Sequence, residues 1–437
     1  MASDSDQIAI IGLSCRVPGA VNPSEYWQLL IRGQSCISHS APYQRSSRIF
    51  VDERDGPDCL KYGAYLEDAD YFDAPFFGIS DDEAVRMDPQ QRLALELVWS
   101  AFEDARIIPE KITDKPVGLF IGAMRDDYSS LLARNHVAIS PRSTVGSLRS
   151  VIAGRISHFF GLTGPSLVVD TGQSSSLTAI ILAIDSLQRG ECDLAVAGGV
   201  HLNLDPYAAE SLAELGVLSP GGICRPFDDR ADGYVRGEGG GVVVLTKVAS
   251  ALAHKAHIYC AIRGGAIIND GSRSGLVNLT ADGHRRLFNA ALAAACTEPS
   301  DVDYVETHGT ATPTGDIAEA ESLISVYRGR SAHGVHPLII GSAKPNIGHL
   351  EAAAGVMGVI KVALALKNDF LPPTINFAVP NAALTGHESS VRVLTAASEW
   401  PHTDHIKTAA VSAFGVSGTN AHLIIQQPPP QPTPPPP

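Results

Sequence analysis

Short β-branched or apolar runs alternate along the chain with longer stretches whose apolar positions recur at helical spacing. That alternation is the signature of α/β layering, and it predicts strands that are mainly parallel. A first series of candidate strands covers Gln7–Leu13, Val117–Gly122, Ser166–Asp170, Asp193–Gly198 and Gly241–Thr246. A second covers Ile258–Ile268, Val302–Glu306, Leu338–Gly341, Val391–Leu394, Thr408–Ala413 and Ala421–Ile425. Candidate helices between them include Pro89–Ala105, Ser174–Arg189, Gly283–Ala294 and Ala352–Lys367. The two series have similar element content, so the pattern predicts a duplicated fold with one half over 1–255 and the other over 256–426. It breaks at 427–437, QPPPQPTPPPP, where missing backbone donors favour the extended polyproline geometry of a linker or tail.

Length alone would allow about three domains of roughly 150 residues, and the 44% hydrophobic content can bury a sizeable core. A charged fraction of 18% excludes wholesale disorder. No uninterrupted apolar run reaches the roughly 18 residues of a membrane span. With 33 basic and 47 acidic residues the net charge is −14, which opposes non-specific attraction to nucleic acid or to an anionic membrane surface. The seven cysteines are odd in number and contain no CxxC pair, so neither a zinc site nor a disulfide framework is indicated. Met1 is followed by a polar ASDSD stretch with no basic region and no signal-type apolar core, which predicts a cytoplasmic location.

The most informative stretch is 166–176, SLVVDTGQSSS, where an apolar strand gives way within a few residues to a helix-compatible run. A strand entering a helix through so tight a turn exposes one side chain at the helix N-terminus, where unpaired N–H groups and the dipole stabilise negative charge. The residue at this apex is Gln173. A carboxamide is neither a nucleophile nor an acid at accessible pH, so covalent catalysis from that position is excluded.

Three further loops carry candidate chemistry. VETHGTATPTGD at 305–316 sets His308 directly after a strand, with the hydroxyls of Thr310 and Thr312 able to share one cavity with it. KPNIGHLEAAAG at 344–355 repeats the device, with His349 at the start of an Ala-rich helix and Lys344 and Asn346 just upstream. Small residues around both histidines let a ligand approach the backbone. In SAFGVSGTN at 412–420, Phe414 and Gly415 follow a strand, and glycine there lets backbone N–H groups turn toward a ligand as an oxyanion site.

Together these segments resemble a ketosynthase domain of a modular polyketide synthase, within the thiolase-like condensing-enzyme superfamily. IAIIGLSCRVPGA, FFGIS, MDPQQR, GPSLVVDT, RPFDDRADGYVRGEG and the His308, His349 and Phe414 motifs match in order over the whole chain up to the Pro-rich tail. The resemblance implies the thiolase fold, an α/β architecture of two βαβαβαββ halves in a five-layer αβαβα sandwich, and an obligate homodimer. It implies that His308 and His349 occupy the two catalytic histidine positions and that Phe414 lies at the gating and oxyanion loop. Thr310, Thr312, Lys344, Asn346, Phe414 and Gly415 are the candidate substrate-binding residues. At Gln173 an ordinary ketosynthase has its acyl-accepting cysteine. Glutamine there is similar to the glutamine-type ketosynthases of loading modules, which decarboxylate a malonyl or methylmalonyl unit on an acyl carrier protein to make the starter. Ala311 within HGTAT and Ile317 after GD depart from the family pattern and leave the His308 frame intact.

The chemistry agrees with that resemblance. A malonyl thioester loses CO2 without a cofactor, because its own carbonyl takes up the electrons as an enolate. The domain then needs no cofactor of its own, the phosphopantetheine being carried by the partner acyl carrier protein. Neutral N–H groups of His308 and His349 can both donate to the enolate oxygen, and losing one such donor typically costs on the order of 3 kcal/mol. The Gln173 carbonyl is expected to accept from backbone N–H groups at 173 and 415, imitating the acyl group of an acylated cysteine. Thr310 and Thr312 are expected to orient the departing carboxylate. Two other readings compete: an extending ketosynthase with an engineered glutamine, and a non-catalytic chain-length-factor-like partner. The short stretch before the first strand favours native glutamine in a loading module, and the intact histidine motifs oppose the non-catalytic reading. The Pro-rich exit suggests that the chain was cut from a longer polypeptide, and the resemblance implies a downstream acyltransferase domain in it. Arg142, Arg149 and Arg155 are candidates for docking an acidic carrier protein.

Overall fold

The computed structural model describes residues 7–39, 57–271, 280–327 and 336–428. The Pro-rich stretch from Pro429 onward lies outside the described residues. The strands of the first half are β1 (Ile8–Arg16), β2 (Val117–Gly122), β3 (Ser166–Val169), β4 (Leu194–His201) and β5 (Gly239–Lys247). Those of the second are β6 (Cys260–Asn269), β7 (Tyr304–Glu306), β8 (Leu338–Gly341), β9 (Phe370–Leu371), β10 (Val391–Val393), β11 (Ser398–Glu399), β12 (Thr408–Phe414) and β13 (Thr419–Gln426). All but β9 and β11, which pair with each other, form one sheet in the order β10-β8-β7-β12-β13-β6-β1-β5-β4-β2-β3.

The order repeats outward from the centre. From β1 the sheet runs antiparallel to β5, antiparallel to β4, then parallel to β2 and β3. From β6 it runs antiparallel to β13, antiparallel to β12, then parallel to β7 and β8, with β10 added at the edge. The two series meet where Ile8, Ala9 and Ile10 pair with Ile262, Ala261 and Cys260. Two copies of one topology joined in this way make the thiolase-like fold.

The sheet is therefore mixed, not mainly parallel as the sequence pattern suggested. Parallel pairs occupy the flanks and antiparallel pairs the centre. The apolar runs report burial on both faces, which here comes from the layering and says nothing about strand direction.

Alternate residues of a strand point to opposite faces. In β5, Val243 and Leu245 enter one core while Val242 and Val244 enter another, and Ile8 and Ile10 of β1 are divided from Ala9 and Ile11 in the same way. In β13, Leu423 and Ile425 join the first core and Ile424 a third. The helices Ser175–Arg189 and Ala354–Asn368 fill the first core, between the half-sheets. Pro89–Asp104 and Ser150–Phe160 cover one outer face, and Ala281–Ala295 and Pro313–Val326 the other. The result is five layers. Gly355 is what lets the central helices touch, because a Cβ there would lie 2.8 Å from the Leu177 Cβ. Both central helices begin at the loops that carry the chemistry, so their N-termini converge on one place. Among the described residues no helix is long and apolar enough to cross a membrane.

Candidate active site

The elbow is built as the sequence predicts. β3 ends at Val169, Gly172 turns the chain at φ +67°, and the helix starts at Ser175, leaving Gln173 just before its first turn. The Thr171 N–H donates to the Ser175 hydroxyl at 2.9 Å, and the Ser174 hydroxyl donates to the Thr419 carbonyl at 2.7 Å, which ties the elbow to β13. The Gln173 side chain is buried, and its Oε1 accepts the Val416 N–H at 3.0 Å. The partner is Val416, where Gly415 was expected. The Gly415 N–H is committed to the Thr419 carbonyl at 2.9 Å, closing the turn between β12 and β13, so the next amide is the one that reaches the elbow.

His308 follows β7, and its loop is held from behind. Its own N–H and that of Gly309 donate to the two oxygens of Glu319, each at 2.8 Å. Asp316, one turn earlier on the same helix, accepts the N–H groups of Phe227 at 2.6 Å and Ala311 at 3.1 Å. Phe227 and Ala311 both lie at φ +62°, so this carboxylate pins two left-handed residues. Lys344 donates its ammonium to the His308 carbonyl. Burial pushes Asp316 up to about 7 against the opposing pull of those two amides. Burial likewise raises Glu319 while its own amide donors hold it down.

His349 sits on a different support. Its backbone pairs with the chain at Arg236, donating to the Val235 carbonyl at 2.7 Å and accepting from Gly237 at 2.9 Å. Glu351, wholly buried, receives the Arg236 Nε at 2.6 Å and lies 3.5 Å from the Arg125 Nε and 3.6 Å from the His201 Nε2. Burial works to raise its pKa, but Arg236, His201 and Arg125 hold the carboxyl well below its usual range.

Both imidazoles end in the same state. His308 Nδ1 accepts the Phe414 N–H at 3.3 Å, and His349 Nδ1 accepts the Glu351 N–H at 3.0 Å. Burial first, then Lys344, hold both pKa values well below 6.5, so the rings are neutral at pH 7. A neutral ring whose Nδ1 is an acceptor carries its proton on Nε2. The two rings lie 5.4 Å apart at 80°, and together they supply two Nε2–H donors.

Lys344 donates to the His308 carbonyl, and the Asn346 amide donates to the Gln34 carbonyl at 2.8 Å, so both tie the site's loops together. The buried Phe414 ring stacks on His284 at 3.8 Å and lies 5.2 Å from His308, and its N–H is the group that orients His308. Thr310 and Thr312 lie beside His308 in sequence, with their hydroxyls 3.0 Å apart. The three proposed docking arginines are already paired. Arg142 bonds Asp82 at 2.5 Å, Arg155 bonds Glu83 at 2.6 Å, and Arg149 bridges Asp126 and Asp170. Sequence reasoning passed over Asp316, Glu319, Glu351 and Arg236. Asp316 and Glu319 did carry a signal, being acidic residues in the first turns after a functional loop, where unpaired N–H groups collect. Among the described residues no group of three His, Cys, Asp or Glu side chains is arranged to hold a metal ion.

Comparison with known proteins gives this geometry a context. The description "Beta-ketoacyl synthase, N-terminal domain" matches residues 5–251, and "Beta-ketoacyl synthase, C-terminal domain" matches 259–378. Polyketide synthase GfsA of Streptomyces halstedii is 44% identical over 436 residues, 98% of this chain and 6% of that protein. A phenolphthiocerol/phthiocerol polyketide synthase of Mycobacterium tuberculosis (strain CDC 1551 / Oshkosh) is 41% identical over 97% of this chain and 23% of its own length. The chain thus spans a small part of these curated relatives. Among solved structures, the ketosynthase from module 6 of the bacillaene synthase from Bacillus subtilis 168 superposes with a TM-score of 0.88 at 37% identity, covering 97% of this chain and 72% of that one. The oxazolomycin ketosynthase domain OzmH KS7 of Streptomyces albus JA3453 does so at 0.89 and 34% identity, covering 98% and 76%.

Proposed function

Since this chain belongs to the beta-ketoacyl synthase family yet has glutamine at the elbow, we propose that it decarboxylates a malonyl or methylmalonyl unit on an acyl carrier protein, supplying the starter in a polyketide synthase loading module. The observation that carries this reading is the Gln173 carbonyl on the Val416 N–H. An amide oxygen there occupies the donor that an acylated side chain would use, and it leaves no nucleophile for acyl transfer.

Chemistry then passes to the histidines. The bond between the carboxylate and the α-carbon breaks, and its electron pair enters the thioester as an enolate while CO2 leaves. The Nε2–H groups of His308 and His349 donate to the enolate oxygen. Protonation of the α-carbon gives acetyl or propionyl carrier protein. Thr310 and Thr312 are assigned to the departing carboxylate, held out of the thioester plane so that the breaking bond overlaps the carbonyl π system. The half over 1–255 supplies Gln173 and the half over 256–426 the histidines.

The carrier protein brings its own phosphopantetheine, and an acyltransferase domain of the same cytoplasmic polypeptide is assigned to load it. A second copy of the chain is assigned to the β3 edge, where Leu167 is 48% exposed.

Incubation with malonyl and methylmalonyl carrier protein, followed by intact mass, tests the activity: loss of CO2 from either is expected, and loss from neither overturns it. An extending reaction would need a thiol at 173. Gln173→Cys should become alkylatable by iodoacetamide, and failure to label would contradict an accessible elbow.

A further inference from the structure

Glu306, the last residue of β7, is buried and lies two positions before His308. Alternate strand residues share a face, so Glu306 and Tyr304 both point into the central core, where the helix Ala354–Asn368 packs. That helix makes room for the carboxylate and answers its charge. A Cβ at Gly358 would lie 3.1 Å from the Glu306 Cγ, and one turn later the Lys361 ammonium lies 2.6 Å from Oε2, shut away from solvent. The Tyr304 hydroxyl donates to the same oxygen at 2.5 Å. The other oxygen, Oε1, accepts the Ala343 N–H at 2.8 Å, just before the short helix Lys344–Ile347 that leads to His349. Beside the carboxylate is a cavity of about 20 Å3, lined by Glu306, His308, Lys344, Gly348, Leu350 and Gly358. Atoms facing a void have no partners on that side, so packing across it does not hold the two histidine loops at their distance.

We infer that Glu306 is a positioning residue for both histidines: its carboxylate, aimed by Lys361 and Tyr304, fixes the start of the His349 loop against the strand end that carries His308. Exchanging a buried ion pair for apolar residues of similar volume is often neutral for stability, so a lysine inside this apolar helix points to geometry. Other links exist on either side of Ala343. The Ser342 hydroxyl donates to the Gly309 carbonyl at 3.0 Å, and Lys344 to that of His308. Both donors are side chains that can rotate to follow a displaced backbone, whereas Glu306 holds the backbone itself. Without that acceptor the Ala343 N–H would seek another partner, the loop would shift, and the two Nε2–H donors would no longer converge. The catalytic consequence rests on the decarboxylase reading above; the placement of the rings does not.

The test replaces the pair as a unit, so that no variant leaves a lone buried charge. Glu306→Gln/Lys361→Met keeps an oxygen for the Ala343 N–H, and Glu306→Leu/Lys361→Met removes it at similar volume. The glutamine variant should hold kcat for CO2 release within about threefold of wild type and keep the ring 15N NMR signals of His308 and His349 in place. The leucine variant should lower kcat about tenfold or more with KM little changed, and should move at least one of those signals. Should the leucine variant not fold, Glu306→Met/Lys361→Met removes the acceptor with a more adaptable side chain and takes its place. Equal kcat and equal signals with and without the acceptor overturn the inference. So does loss of kcat in the glutamine variant, because the charge and not the acceptor would then be at work. Should wild type release no CO2, the decarboxylase reading fails alone, and the histidine signals still decide this one.

Discussion

The loops of His308 and His349 deliver the same chemical group by opposite means. Each ring has its Nδ1 capped by a backbone N–H, from Phe414 in one case and Glu351 in the other. Behind His308 stand two carboxylates with raised pKa values and a lysine, all able to change protonation. Behind His349 stands a carboxylate that Arg236, His201 and Arg125 hold well below its usual range, so it stays an anion. The difference teaches that a neutral, oriented imidazole can rest on an adjustable support or on a fixed one, and the two should fail differently.

The largest expected effect lies on the fixed side. Arg236→Met leaves Glu351 buried without its main partner, and removing one member of a buried pair costs about 3–5 kcal/mol. Urea unfolding should show that loss, and a change under about 1 kcal/mol would mean that Arg125 alone suffices. Next come the histidines, for which His308→Ala and His349→Ala should each slow decarboxylation about a hundredfold or more. A wide gap between the two rates would show that one ring carries the enolate alone. Lys344→Met should cost less than Arg236→Met, about 1–3 kcal/mol, because the group it leaves unpaired is the His308 carbonyl and not a buried carboxylate. Equal losses in the same unfolding assay would erase the distinction between the supports.

A further effect concerns pH. His284, stacked on Phe414, is pushed by burial to about 4. Its folded pKa lies below the unfolded 6.5, so the unfolded chain binds more protons between those values, and stability falls as pH drops from about 6.5 toward 4. Asp316, raised to about 7, acts with the opposite sign, losing stability as pH rises through 7. His284→Phe should flatten the acid decline by roughly 1.4 kcal/mol per pH unit, measured as urea stability from pH 6.5 to 4. An unchanged slope would show that His284 is not held neutral.

Much of this was legible in the chain. Val117–Gly122 and Leu338–Gly341 are strands with the predicted ends, and the elbow turns at Gly172 as SLVVDTGQSSS implies. Strand direction was not legible, because a run such as GGGVVVLTK is buried on both faces whichever way its neighbours point. The partners of Lys344 and Asn346 were not legible either. Each meets a carbonyl of another segment, His308 and Gln34, that no local spacing connects to it.

By itself the sequence determined the layered α/β class, the elbow with its unreactive amide, and the pair of histidines, because these depend on periodicity, turn chemistry and residue identity within a dozen positions. Tertiary structure alone decided that Val416 rather than Gly415 meets Gln173, and that both rings carry their proton on Nε2. It also decided that Arg236, 115 positions before Glu351 in the chain, supports the His349 loop. A tautomer and a buried ion pair are set by which donors and acceptors the fold encloses together away from water, and long-range packing makes that choice.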